Sequence, residues 1–385
     1  MTKDKEKRMT PEMRFKGFSD DWEQRKASEL FKSISDKKHP NLPVLSASQE
    51  KGMILRDDIG IDIKYDHKSL SNYKRVTPGQ FVIHLRSFQG GFADSQMEGI
   101  TSPAYTVIDF KERDPNHSLF WKEILTSQSF IKRLETVTYG IRDGRSISFS
   151  DFSTLKFLVP KLDEQVSIAN LFNLLDTTIT LHQQKYELLL KLKKAYLQLI
   201  FPKTGESTPK VRFADFHGSW EQRKLGDEVI NIGTGRSNFS SSVKQSKEKP
   251  FAVLGSTSII SYSSEYDHSG DFVLTARVGA NAGNLYKFTG NVKISDNTVY
   301  IQADNLNFIF YLLTKFDVKR ISFGTGQPLV KASELKNLNL YFPGDIERQR
   351  IGTLFKQLDD IITLHQQKIV SLKSLKQAYL QKMFV

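Results

Sequence analysis

Apolar residues recur every seven positions along two stretches of this chain. One column reads Ile168, Leu175, His182, Leu189 and Tyr196, and the same residue types return as Ile351, Leu358, His365, Leu372 and Tyr379. Neighbouring columns run Leu171, Thr178, Lys185, Leu192, Leu199 against Leu354, Ile361, Lys368, Leu375, Lys382, and Phe172, Ile179, Tyr186 against Phe355, Ile362, Ile369. Apolar positions at i, i+3, i+4 and i+7 make one stripe on a helix, and a seven-residue period held this long predicts helix-on-helix packing of the coiled-coil kind. Neither Pro nor Gly interrupts the repeated cores Leu171–Pro202 and Leu354–Val385 between their ends, so nothing forces a break. The run ITLHQQK is identical at Ile179–Lys185 and Ile362–Lys368. A polar layer in such a seam fixes register at a cost in stability, and an antiparallel pairing should bring the two layers together.

The head of each half repeats as well. The pattern TPxxRFxxFxxxWEQRK opens at Thr10 and again at Thr208. Three aromatics in so short a span, Phe15, Phe18 and Trp22 in the first copy, predict an anchor packed against a helix with its charges left in solvent. Between heads and helices, roughly 27–160 and 225–343, the pattern switches to short alternating strands, such as Gln80–Leu85, Ala104–Phe110, Asp271–Ala276 and Asn297–Ile301, with turn residues at Thr77–Gln80 and Asp267–Gly270. Helical stretches are expected near Ser118–Leu134 and Leu306–Phe316. Pro160 and Pro343 stop a strand just before each long helix, and Asp163, Glu164, Asp345 and Glu347 set acids in its first turn, where the macrodipole favours them. Phe201–Pro209 reads as a short polar connector. Each region is α+β, and the two diverge far more than their flanks.

At 385 residues the chain has room for two or three domains. The formal charge of +12 makes an anionic partner plausible without naming it. Cysteine is absent, which excludes disulfides and Cys-based zinc sites and suits a reducing cytoplasm. The charged N-terminus has no apolar signal-peptide core, and no run approaches the ~18–20 apolar residues of a membrane span. Catalytic motifs are missing. Gly233-Thr-Gly235-Arg-Ser and Gly324-Thr-Gly326-Gln-Pro lack the ending of a phosphate-binding P-loop. There is no HExxH, no GxSxG, and no Asn-Pro-Pro-aromatic or Asp-Pro-Pro-aromatic tetrapeptide of adenine methyltransferases. The chain reads as a binder. No metal is expected, since one His per helix falls short of a ligand set.

Several loops suit the reading of DNA. Arg277, Asn281 and Asn284 stand among small residues at a strand end, and Arg and Asn match guanine and adenine edges. Lys319, Arg320 and Gln327 form a second candidate, and the matching places in the first half hold Arg86 and Gln89, then Arg142 and Arg145. A plain Gly-rich turn is the bland alternative for each.

The tandem layout and the ending LFxxLDxxITLHQQK…LKxAYLQ resemble the specificity subunit of type I restriction-modification systems, over essentially the whole chain. That resemblance implies two similar α+β target recognition domains in pseudo-two-fold tandem, separated by two long antiparallel coiled-coil helices. The expected boundaries are 1–160 for the first domain with its tail, 161–201 for the central helix, 202–209 for the linker, 210–343 for the second domain and 344–385 for the C-terminal helix. It further implies that each domain reads one half of a bipartite site on double-stranded DNA and that the helices set the spacer. Two modification subunits, which use S-adenosylmethionine, would dock on the scaffold, and restriction subunits using ATP and Mg would join. This chain would bind no cofactor and catalyse nothing. The competing readings are a coiled-coil scaffold or dimerisation protein with an incidental basic surface, and a fused enzyme, which the missing motifs oppose.

Overall fold

The computed structural model describes residues 9–48, 51–59, 67–83, 92–134, 147–238, 242–322 and 328–385. The chain divides into two compact units: Met1–Leu181 with Lys368–Val385, and His182–Gln367. Each contains a sheet, short helices and a segment of both long helices.

The long helices are Leu162–Leu199 and Asp345–Met383. In the first unit the start of the central helix runs beside the end of the C-terminal one: Phe172 stacks near Phe384, and Lys376 Nζ lies 2.7 Å from Asp176 Oδ1. In the second unit the end of the central helix runs beside the start of the other, with Lys193 paired to Asp359 and Phe201 stacked on Phe355. The directions are antiparallel in both. Asp176 and Lys376 are repeat-equivalents of Asp359 and Lys193, so one ion pair is made twice. Ile168, Leu175 and Leu372 are buried in the first unit's core, with Tyr379 packed against it. Ile351 and Leu358 are buried in the second unit's core, with Leu189 and Tyr196 against it. His182 and His365 meet each other, Nδ1 to Nδ1 at 2.8 Å, so the polar layers coincide. The buried stripe is narrower than the sequence columns suggest. Phe172, Ile179, Phe355 and Ile362 are buried, whereas Leu192, Ile361 and Leu375 lie at its exposed edge.

The head motif does more than anchor. Trp22 and Trp220 are buried, but Glu23–Lys26 and Glu221–Lys224 form strands, antiparallel to Lys156–Val159 and Asn339–Phe342. Each head is thereby clipped to the strand that leads into a long helix. The expectation of solvated head charges fails at one position per copy. Arg14 forks onto Glu164 with Nε–Oε1 2.8 Å and Nη2–Oε2 2.7 Å, and Arg212 forks onto Glu347 with the same distances. Both glutamates are buried first-turn acids of a long helix, so the bidentate partner neutralises a charge that the dipole alone would not hold.

Four strands of the first unit form an antiparallel sheet in the order Phe31–Ile34, Thr106–Phe110, Phe81–Ile83, Phe92–Asp94. The second unit repeats that order with Asn231–Thr234, Thr298–Gln302, His268–Ala276 and Leu285–Ile294, and adds Phe251–Leu254 and Ile259–Ser263. Two expectations need correction. Asp267–Gly270 is not a turn, because His268 to Gly270 already pair with Val292 to Gly290 as part of the strand. Ser118–Leu134 is two helices, Ser118–Leu125 and Gln128–Leu134, parted where the Thr126 and Ser127 hydroxyls bond back to Lys122 and Ile124 carbonyls. The helix Leu306–Phe316 lies where the sequence puts it. Among the described residues no helix is long and apolar enough to cross a membrane.

Candidate nucleic-acid interface

In the second unit the chain leaves the strand His268–Ala276 and returns at Leu285, and the loop between is tied on three sides. Arg277 N–H donates to Asn297 O at 2.8 Å, and Val330 N–H donates to Arg277 O at 2.8 Å. Gly279 N–H donates to Pro328 O at 2.9 Å, and Val278 bridges to Leu329. Gly283 has φ of +86°, and a Cβ there would lie 2.7 Å from Lys319 N and 2.9 Å from its Cα. Only glycine lets the turn Val318–Ile321 seat against this loop. The two candidates that sequence places apart, Arg277–Asn284 and Lys319–Arg320, are therefore brought together.

Within that cluster Lys319, Arg320 and Asn281 are exposed, while Arg277 and Asn284 are half-buried. Asn284 Nδ2 donates to Asn281 Oδ1 at 3.0 Å, which fixes both amides and leaves Asn281 an N–H pair and Asn284 a carbonyl oxygen to offer. Arg277 touches Asp296 O through Nη1 at 3.4 Å and has no carboxylate partner among the described residues. A guanidinium held by its backbone yet without an anion is poised for an external acceptor.

One residue escapes the sequence reading. Arg236 follows Gly233-Thr-Gly235, where it served only to exclude a P-loop. Its neighbours tie that turn to the same network: Gly235 N–H donates to Thr298 O, Ser237 N–H to Ile294 O, and Asp296 N–H to Ser237 O. Arg236 is exposed beside the segment Asp296–Asn297 that holds Arg277. The signal available was the likeness of Gly-Thr-Gly-Arg to Gly324-Thr-Gly326-Gln. Of the remaining candidates, Arg86, Gln89, Arg142, Arg145 and Gln327 lie outside the described residues. The ten helix-pairing candidates sit in the seams given above. No group of three or more metal-ligating side chains occurs among the described residues.

The family described as type I restriction modification DNA specificity domain matches this chain twice, over residues 19–191 and 217–374. The chain belongs to that family. Over 300 residues it is 23% identical to the type I restriction enzyme MjaVIII specificity subunit of Methanocaldococcus jannaschii, covering 69% of each chain. It is 26% identical over 133 residues to the EcoprrI specificity subunit of Escherichia coli, where the match spans 33% of each chain. The type I restriction-modification S subunit of M. genitalium shares the fold, with TM-score 0.65 and 15% identity over 98% of this chain and 99% of that one. The tandem α+β reading and the identification as a type I specificity subunit both stand on these matches.

Proposed function

We propose that this chain reads a bipartite site on double-stranded DNA, one half-site per unit, and supplies sequence choice without catalysis. The observation that carries the reading is the second unit's loop cluster, where Arg236, Arg277, Asn281, Lys319 and Arg320 gather on backbone that is pinned from several sides. Lys and Arg give affinity through phosphates, and a few base-edge contacts give choice. The matched strand order of the first unit supports an equivalent role for Arg86 and Gln89, which in sequence fall between the strands Phe81–Ile83 and Phe92–Asp94.

The central helix has 38 residues, about 57 Å of rod, a suitable ruler for half-sites that recur on one face of the duplex about every 34 Å. Two modification subunits dock on the scaffold and carry S-adenosylmethionine; restriction subunits carry ATP and Mg. Leu174 and Leu181 support such docking, since they stand seven residues apart on the central helix at 64% and 60% exposure. Large apolar side chains so exposed at heptad spacing suit a helical partner.

Mapping methylated adenines in a genome with and without this gene tests the proposal. A two-part motif whose methylation disappears with the gene is expected. Methyl transfer by the purified chain alone, or an unchanged methylation map, would sink it.

A further inference from the structure

Beside Arg320 and the turn that meets the Arg277 loop, the second unit has a cavity of about 670 Å3. Three cations line it: Lys203 on the connector, Lys315 on the helix Leu306–Phe316, and Arg320 on the following turn. Among the described residues no carboxylate lines it. None of the three makes an ion pair among the described residues, and Lys315 Nζ has only the neutral Gln198 Oε1. Burial and the charges of Lys203 and Arg320 hold the Lys315 ammonium below the usual lysine range. Gathering like charges in a half-enclosed space costs stability unless an anion occupies it.

The charges are also positioned. Glu206 N–H donates to Lys203 O across a turn with Gly205 at φ of +85°, which fixes the connector at the mouth. Gln222 and Tyr341, cross-strand partners on the ribbon of the head strand, add neutral donors. The first unit shows that the fold does not require this hole. There Phe384 and Val385 take the places of Phe201 and Pro202, Phe384 packs on Phe120 and Phe172, and the remaining space is about 70 Å3. The cation lining it among the described residues, Arg133, is spent on the Lys156 carbonyl and the face of Phe157.

We infer that Lys203, Lys315 and Arg320 form a phosphate-binding pocket, which seats a backbone phosphate of the duplex flanking the bases read by the Arg277 loop. Phosphate fits because it brings a full negative charge and several acceptors to three cationic side chains around one cavity. The backbone is favoured as its source because Arg320 sits one residue from Lys319, whose own backbone packs under Gly283 of the reading loop. The choice of a DNA phosphate rests on the function proposed above; the pocket as a phosphate site does not.

The test uses the full chain and the variants Lys315→Gln, Arg320→Gln and Lys203→Gln, the last on the exposed connector, where folding is not at stake. Anisotropy of a duplex carrying the site and of an unrelated duplex is followed over a salt series, and inorganic pyrophosphate is titrated by calorimetry. Each variant should weaken both duplexes by the same factor, roughly 3- to 10-fold, and lower the salt slope by about one. Loss of pyrophosphate binding with unchanged duplex binding would keep the phosphate pocket and overturn the backbone as its source. If the native chain held pyrophosphate, and the variants did not, while no duplex bound at all, the DNA reading would fail and the pocket would stand. Unchanged binding of both ligands in all three variants would overturn the pocket, and so would weakening confined to one DNA sequence.

Discussion

Glu164 and Glu347 occupy the same step of the two long helices, yet their surroundings differ. Glu164 accepts both arms of Arg14 and also Trp22 Nε1 at 3.1 Å. Glu347 accepts both arms of Arg212, while Trp220 Nε1 is buried with no partner among the described residues. The duplicated frame has therefore kept the bidentate ion pair and let the indole bond lapse in one copy. The same holds further along. The helix-to-helix pair recurs as Asp176–Lys376 and Asp359–Lys193, but its second partners have changed. In the first unit Lys376 also reaches buried Glu123 at 3.0 Å; in the second, Asp359 also takes the Tyr311 hydroxyl and lies near Lys287. Burial raises the Glu123 carboxyl above its ordinary range, opposed by Lys376 and Lys122. What repeats is the ion pair at each place, Arg14–Glu164 with Arg212–Glu347 and Asp176–Lys376 with Asp359–Lys193. What drifts is the second partner of each pair: the head's indole, and side chains on the inserted helices, Glu123 in one copy and Tyr311 in the other, with Lys287 of the sheet.

That contrast can be broken first at the clamp. Arg212→Met leaves buried Glu347 with no donor and should destabilise the second unit by about 3–5 kcal/mol. Arg14→Met leaves Glu164 the Trp22 N–H and should cost about 1 kcal/mol less. Urea unfolding of the two variants compares them; equal losses would mean the indole bond is worth nothing. The seam comes next. Leu372→Asp places a charge at a buried position, Leu189→Asp at a half-buried one. Losses of about 3 and about 1–2 kcal/mol are expected in the same measurement. At the reading surface, Arg277→Ala should relax choice at one base of one half-site by about 1–3 kcal/mol and leave the other half-site untouched. Binding to a panel of single-base variants checks this, and uniform weakening would make Arg277 a phosphate contact instead.

The smallest effect sits where the repeat meets itself. His365 is held below the ordinary histidine range by burial, by His182 and by Lys185. The unfolded chain therefore takes up a proton more readily than the folded one. The contribution of this layer is complete above pH ~6.5 and falls as pH drops through the lower folded value. Thermal unfolding between pH 8 and 5 should show that loss in the native chain and a smaller one in His365→Asn. Identical pH dependence would remove the pair from consideration.

Periodicity alone determined the long helices and their seam positions, because a heptad is a local pattern; their antiparallel direction was implied only by the family resemblance, and with it the meeting of His182 with His365. Periodicity also placed the helix Leu306–Phe316 and four of the sheet strands, Phe81–Ile83, Thr106–Phe110, the Asp271–Ala276 part of His268–Ala276, and Thr298–Gln302. The head strands were illegible: Glu-Gln-Arg-Lys shows no apolar alternation, and only pairing with residues far along the chain makes it a strand. Arg277 and Lys319 could each be suspected from sequence, but their adjacency follows from a glycine that admits one backbone against another. Arg236 and the Lys203–Lys315–Arg320 pocket were invisible for the same reason. Local pattern dictates elements; which loops share a surface is settled only when non-local strand order and packing bring them to one place.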